Sequence, residues 1–159
     1  MTRRVSVTVV VSMLLVGSAM SAQAPAKPRA EHVEALRTKA VSGDAGAQNQ
    51  LGSMYAAGTG VPKNLAQAVE WYRKAADQGL AEAQYNLGLS YADGTGVTAD
   101  DVDAYKWLAL AVLRGAGPHQ MDAANQRDLL VQEMTPARLA EAEQRVRSWL
   151  EEFDKQGKK

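Results

Sequence analysis

The chain repeats itself with a period of 36 residues, and this recurrence limits the possible folds more than any other feature of its 159 residues. Residues 43–78 and 79–114 are identical at 15 of 36 aligned positions. The matches include the tetrapeptide Gly-Thr-Gly-Val at 58–61 and again at 94–97, with a Leu-Gly pair before it and a Trp after it. A period of this size is typical of stacked repeats, in which each unit is one supersecondary element.

Within each unit, apolar residues follow helical spacing on both sides of the glycine-containing loop. Ahead of the loop, Ala47, Leu51 and Tyr55 recur at steps of four, as residues on one face of a helix do. After the loop, Ala, Trp and Ala recur at steps of three and four within 68–75. The same two patterns return 36 residues later, so each unit is predicted to be a pair of helices.

The Gly-Thr-Gly loops are predicted to reverse the chain between two antiparallel helices, because glycine adopts positive φ without a steric penalty. Val61 and Val97 are expected to pack back onto the hairpins. Asn64 and Asp100, which are 36 residues apart, are predicted to cap the second helix of each unit. A phosphate-binding loop would need one such glycine motif, whereas a repeated hairpin needs two.

The shared motif identifies the two units as similar to Sel1-like repeats, which are related to tetratricopeptide repeats. It reads Ala-x-Ala-x-x-x-Leu-Gly-x-x-Tyr, then Gly-x-Gly-Val, then Ala-x-x-Trp-x-x-x-Ala, and residues 43–115 carry it twice. The resemblance implies an all-α fold: a right-handed α/α superhelical solenoid of helix-turn-helix repeats. The second unit departs at Leu108-Ala109-Leu110, which is more apolar than its counterpart and suggests deeper packing against the segment C-terminal to the repeat.

Two units alone bury little apolar surface, so the flanking segments are expected to complete the stack. Gln120 falls where the period places the repeat's Gln, which predicts a degenerate third first helix. Thr135 and Pro136 are typical of a helix start and predict a C-terminal capping helix. The predicted organisation is a linker at 25–29, an N-terminal capping helix at 30–42, repeat 1 at 43–78, repeat 2 at 79–114, a degenerate repeat with C-terminal cap at 115–153, and a frayed tail at 154–159.

Residues 1–24 have the pattern of a secretory signal peptide. Arg3 and Arg4 precede an apolar run of about a dozen residues, and small residues come after it. The run is short for a membrane span, which needs about 20 residues, so we expect cleavage near 22–24 and no membrane insertion of the mature chain. The protein is therefore predicted to be periplasmic or secreted. It has no Cys, which excludes disulfides, Cys lipidation and thiolate metal sites.

Residue patterns for catalysis or cofactor binding are missing from the sequence. His32 and His119 are the only histidines and lack metal-ligand spacing. The acids at 100–103 suit the first turn of a helix, and they lack the glycine and distal Glu of a calcium loop. After removal of the predicted signal peptide, which contains Arg3 and Arg4, the chain has 16 basic and 18 acidic side chains. This slightly negative net charge does not favour nucleic-acid binding. We expect no catalytic residues, no cofactor and no metal.

The resemblance implies that the first helices line a concave groove that faces a partner. Tyr85 and Leu89 are the expected anchor, because exposed aromatic and aliphatic side chains contribute much of the binding energy at interfaces. The alternative is that both side chains pack on Leu108 or on the degenerate third helix. The predicted groove residues are Asn49, Ser53, Ala56, Glu82, Tyr85, Leu89, Ala92 and Asp93.

The sequence therefore favours an exported, non-enzymatic adaptor, scaffold or regulator that binds an unidentified protein or peptide. Two alternatives stay open. One is binding or hydrolysis of cell-wall or β-lactam-like molecules, an activity implied by some Sel1-like relatives, although those are usually rich in disulfides. The other is a structural module of an envelope assembly.

Overall fold

Seven α-helices make up most of residues 26–157, the part of the chain that the computed structural model describes. The predicted signal peptide at 1–24 lies outside the described residues, as do the last two residues of the chain. The helices are α1 Ala26–Val41, α2 Ala45–Ala57, α3 Leu65–Asp77, α4 Ala81–Asp93, α5 Asp101–Arg114, α6 Pro118–Glu133 and α7 Pro136–Gln156.

The two predicted hairpins are α2 with α3 and α4 with α5, and each pair packs along its length. The loops have the expected geometry, since Gly58 and Gly94 end α2 and α4 with φ of 74° and 66°. The caps of the second helices are also confirmed: Asn64 accepts the N–H of Gln67 at 3.0 Å, and Asp100 accepts that of Asp103 at 3.1 Å.

A glutamine near the start of each first helix ties it to the preceding second helix. Its side-chain amide donates to the backbone carbonyl eight residues earlier in the chain. The three bonds join Gln48 to Ala40 at 3.0 Å, Gln84 to Ala76 at 3.1 Å, and Gln120 to Val112 at 2.8 Å. The third bond places α6 in register with the 36-residue period, as the predicted degenerate third first helix requires.

The core lies between the helix layers and is built from the repeated apolar positions. Leu51 and Leu87, which are 36 residues apart, are both fully buried. Leu108 is fully buried as well and packs against Ala123 of α6. The deeper packing predicted for residues 108–110 is therefore confirmed: α6 covers Leu108, whereas Ala109 and Leu110 lie in the main cluster together with Val146 of α7.

Helix α7 packs on α5 and runs parallel to it. Arg145 near its middle pairs with Asp103 at 2.7 Å. Trp149 meets Trp107 edge to face with the ring centroids 6.3 Å apart. Farther along, Phe153 lies under the Arg114 guanidinium, 4.1 Å from ring centroid to Cζ. The predicted C-terminal capping helix is thus present.

Two predicted boundaries are wrong. The linker at 25–29 is helical over 26–29, where α1 has already begun. Pro28 is compatible with this first turn because the early N–H groups of a helix have no intrahelical acceptor. The tail at 154–159 is helical through Gln156, because Phe153 stacks on Trp149 at 4.8 Å and holds the end of α7 against the core.

Candidate functional site

Equivalent positions of α2, α4 and α6 form one outward surface, which we call the first-helix face. On α4 it follows steps of three and four, the spacing of one helical stripe. Because α6 keeps the 36-residue register, its stripe continues that of α4. The first-helix face consists of Gly46, Gln50, Ser53 and Ala57 on α2, Glu82, Asn86, Leu89 and Asp93 on α4, and Asp122, Asn125 and Leu129 on α6.

Side-chain contacts between neighbouring first helices make this surface continuous. Asn86 Nδ2 donates to Asn49 Oδ1 at 3.0 Å, which joins α4 to α2. Tyr85 lies beside His119 with the ring centroids 6.0 Å apart, which joins α4 to α6. Burial raises the pKa of the Tyr85 phenol, and the nearby Asp122 carboxylate raises it further.

Asn49 is a wrong prediction for a partner-facing position. Its side chain is only 4% exposed, because α4 covers it and its amide oxygen accepts from Asn86. Asn86, the other member of this pair, is half-buried and belongs to the first-helix face, whereas Asn49 does not. Asn49 therefore fixes the distance between α2 and α4, and Asn86 presents an amide to the surface.

The predicted anchor residues differ in their surroundings. Tyr85 is half-buried and packs against the cluster of Leu108, Ala111 and Ala123. For Tyr85, the structure therefore agrees with the alternative that its side chain packs on Leu108 and on α6. Leu89 is also half-buried, but it belongs to none of the core clusters within the described residues. Leu89 therefore fits the predicted role of an anchor better than Tyr85 does.

The remaining predicted residues divide between the surface and its margin. Glu82, Asp93 and Ser53 are exposed, and Ser53 Oγ accepts from the Tyr72 hydroxyl at 3.3 Å. Burial raises the pKa of Tyr72, the hydrogen bond to Ser53 lowers it, and the negative charge of Glu82 raises it. Ala56 and Ala92 are half-buried at the margin of the face.

The charges on the first-helix face are carboxylates without ion-pair partners. Within residues 26–157, Glu82, Asp93 and Asp122 form no ion pair. Across that same part of the chain, ion pairs lie on α1, α3, α5 and α7 or at the Asp100 cap, except that between Arg127 and Asp128 on α6. Carboxylates in this state can accept hydrogen bonds from Lys or Arg side chains of a partner.

Sequence reasoning missed the contribution of α6 to this surface. Leu129 is 56% exposed and Met121 is 68% exposed, which is unusual for large apolar side chains. Adding the 36-residue period to the positions of Asn86 and Leu89 gives Asp122 and Asn125. The register set by Gln120 was therefore sufficient to predict that these α6 residues continue the surface of α4.

A second missed feature is an Arg–Tyr bond that joins the first helix of each repeat to the helix before it. Arg37 Nη2 donates to the Tyr55 hydroxyl at 3.3 Å, and Arg73 Nη2 donates to the Tyr91 hydroxyl at 2.8 Å. The partners of each bond are 18 residues apart and lie on different helices, and the two bonds are themselves 36 residues apart. Each bond joins the last turn of a first helix to the helix that precedes it, α1 for α2 and α3 for α4. The two bonds therefore help to fix the positions of α2 and α4, which carry the first-helix face.

The described residues contain neither a metal-binding cluster nor a membrane span. No group of three or more His, Asp or Glu side chains there is placed to hold a metal ion. None of the helices α1 to α7 is both long enough and apolar enough to cross a bilayer. His32 and His119 are both exposed.

Comparison with protein families gives two matches to the Sel1 repeat, at residues 45–80 and 81–115. These units begin two residues later than the predicted repeats. A search of curated proteins finds no match. The comparison thus recognises α2 to α5 as the repeat units.

The solved structures that are similar to this chain include the following two. A Sel1 repeat protein from Oxalobacter formigenes is 39% identical with a TM-score of 0.56, over 60% of this chain and 71% of that one. A protective antigen present in uropathogenic Escherichia coli strains, displaying an SLR fold, is 34% identical with a TM-score of 0.72. That match covers 78% of this chain but 26% of the antigen, so this chain spans about a quarter of the antigen's length. The predicted α/α superhelical solenoid is confirmed.

Proposed function

Because the chain belongs to the Sel1 repeat family, we propose that it is a non-enzymatic adaptor that binds a protein or peptide partner through the first-helix face. The observation that supports this most strongly is the composition of the face. The exposed Leu129 and the half-buried Leu89 lie on the same face as carboxylates that have no ion-pair partner within the described residues. Interfaces commonly combine a few apolar anchors with a polar rim.

The chemistry of the face favours a partner segment with basic residues next to an apolar one. Leu89 and Leu129 offer apolar contacts, and Glu82, Asp93 and Asp122 offer negative charge. Asn86 and Asn125 offer amides to the backbone of a bound segment. An acidic partner would meet like charges here, which opposes association.

Panning a displayed peptide library against the immobilised chain tests this proposal. We expect a consensus with Lys or Arg beside a large apolar residue. The double variant Leu89→Ala/Asp93→Lys should lose this consensus, whereas Glu151→Lys, which changes an exposed acid on α7, should retain it. A consensus that the double variant retains, or an acidic consensus, would argue against the first-helix face as the binding surface.

We also propose that the protein is exported, on the basis of the residue pattern of 1–24. The test is the N-terminal sequence and location of the chain in cells. Cleavage near 22–24 and recovery outside the cytoplasm are expected. An intact N-terminus with recovery in the cytoplasm would contradict export and leave the proposed binding face unaffected.

A further inference from the structure

A cleft lies away from the first-helix face, where α7 passes α5 and the end of α3. This α7 cleft has a volume of about 780 Å³, within the roughly 300–1,000 Å³ usual for ligand sites. It is lined by Asp77 of α3, Lys106 of α5 and a stripe of α7 that includes Glu152. Its walls therefore come from the second helices, which the first-helix face does not use, and from α7.

The cleft contains a cation that the described residues do not neutralise by direct contact. Lys106 Nζ lies 4.0 Å from the centroid of the Trp107 ring, and within residues 26–157 it forms no ion pair or hydrogen bond. Burial lowers the pKa of Lys106, while the charges of Asp103 and Asp77 oppose that effect. A partly buried ammonium without a contacting anion is costly, and a ligand carboxylate would remove that cost.

The other cation of the cleft is already engaged. Arg145 contacts Asp103 and Glu141, each at 2.7 Å. It is thus held by two carboxylates of the protein itself. Lys106 is therefore the group available to an incoming anion.

Carboxylates without ion-pair partners line the same cleft. Within the described residues, Asp77 and Glu152 form no ion pair, and burial raises the pKa of Asp77 although Lys106 and Arg73 lower it. A ligand with only negative charge would be repelled by these two groups, and one with only positive charge by Lys106. The cleft is therefore matched to a ligand that carries both signs.

The length and wall of the cleft indicate a peptide. Its α7 stripe runs from Glu141 to Gln156, a rise of about 22 Å at 1.5 Å per residue. An extended peptide covers that distance with about six residues. Trp149 and Phe153 stack at 4.8 Å and give part of the wall an apolar surface, and Gln144 and Ser148 offer hydrogen-bonding groups.

Interactions that do not involve a ligand hold the cleft open. Arg138 near the start of α7 is hydrogen-bonded to Asp101 at the start of α5 at 2.7 and 2.8 Å. Arg114 at the end of α5 lies over Phe153 near the end of α7. Both ends of α7 are therefore fixed, and a preformed site loses less entropy on binding.

We propose that the α7 cleft is a second binding site, which takes an extended peptide of about six residues carrying one acidic and one basic group. The ligand carboxylate pairs with Lys106, and the ligand cation pairs with Asp77 and Glu152. An apolar side chain of the ligand lies against Trp149 and Phe153. This site is independent of the partner proposed for the first-helix face.

The indole N–H signals of the three tryptophans in a ¹⁵N-labelled sample give a direct readout. The probes are pools of capped hexapeptides with one Lys, one Glu and otherwise small or apolar residues, in both orders of charge. We expect a saturable shift of the Trp149 signal and no shift of Trp71, which packs with the α1–α2 cluster and does not line the cleft. Control pools in which both charged residues are Lys, or both are Glu, should not shift Trp149.

Matched lysine variants identify the cation that is responsible. Lys106→Gln should weaken binding about tenfold or more, because it removes a charged pair. Lys74→Gln should leave binding unchanged, since Lys74 has a similar position over Trp71, at 4.1 Å, but lies outside the cleft. Lys106→Arg keeps the charge and should retain binding, which separates loss of charge from loss of packing.

Three outcomes would overturn the proposal: no saturable Trp149 shift with either mixed-charge pool, an equal shift with single-sign pools, or unchanged binding by Lys106→Gln. Leu89→Ala should leave the Trp149 titration unaltered. Failure of the α7 cleft and failure of the first-helix face are therefore distinguishable.

Discussion

Replacing Gly88 by alanine tests how closely α4 and α5 cross. A Cβ at this position would lie 2.7 Å from Leu108 Cγ and 3.1 Å from the Leu108 backbone nitrogen. Carbon atoms in contact prefer about 3.5–4.0 Å, so either Leu108 must move or the helices must separate. Leu108 is fully buried in a cluster with Ala111 and Ala123, so moving it disturbs packed side chains.

Two opposing effects set the size of the change. Alanine favours a helix over glycine by about 1 kcal/mol. Overpacking a core costs about 1–3 kcal/mol, and we expect the upper part of that range because a backbone atom is among the obstacles. The net expectation is a loss of about 1–2 kcal/mol in the free energy of unfolding, with a fall of several degrees in Tm.

Urea denaturation followed by circular dichroism measures this loss. Gly46→Ala is the matched control, since Gly46 is exposed on α2 and its added Cβ would meet only Asp44 Oδ1 at 3.3 Å. In a Leu108→Ala background, Gly88→Ala should cost much less, because the obstructing side chain is gone. Equal or greater stability of Gly88→Ala relative to Gly46→Ala would refute the close crossing.

Two further predictions concern polar contacts. Tyr91→Phe should lower the free energy of unfolding by about 1 kcal/mol, because Arg73 loses an acceptor at 2.8 Å; chemical denaturation checks this, and an unchanged midpoint would contradict it. Arg138→Gln should destabilise the protein at neutral pH and low salt, because the hydrogen bond from Arg138 holds the pKa of Asp101 below its usual range. A carboxyl group whose pKa is lowered by folding stabilises the folded state at pH values above its unfolded-state pKa, which is near 3.8. That stabilisation is lost as the pH falls through the folded-state pKa. The difference between the Arg138→Gln variant and the unaltered protein in thermal melts should thus shrink in acid and in high salt, and a difference independent of both would contradict the reasoning.

The 36-residue period was sufficient to predict the helical hairpins, their glycine loops and their caps, because those features are local and recur. It also predicted the register of α6 from Gln120 alone. The period carries less information about contacts between units. Asn49 and Tyr85 are equivalent positions, yet α4 covers the first and α6 partly covers the second.

The extent of α7 and the start of α1 were harder to predict, because neither is set by the repeat. Phe153 extends α7 beyond the expected end by stacking on Trp149. The α7 cleft also depends on the parallel packing of α7 against α5, which the sequence of α7 does not reveal. The ion pairs of Glu141 with Arg145 and of Glu143 with Arg147 were predictable because they have helical spacing, and both are present at 2.7 and 3.8 Å.

Site-specific photo-cross-linking in intact cells tests the first-helix face most directly. A benzophenone amino acid in place of Leu89 should give an adduct with a partner, and mass spectrometry should locate it beside a basic residue of that partner. The same amino acid in place of Glu70, which is exposed on α3, should give no such adduct. An adduct formed at position 70 and not at position 89 would contradict the assignment of the binding surface.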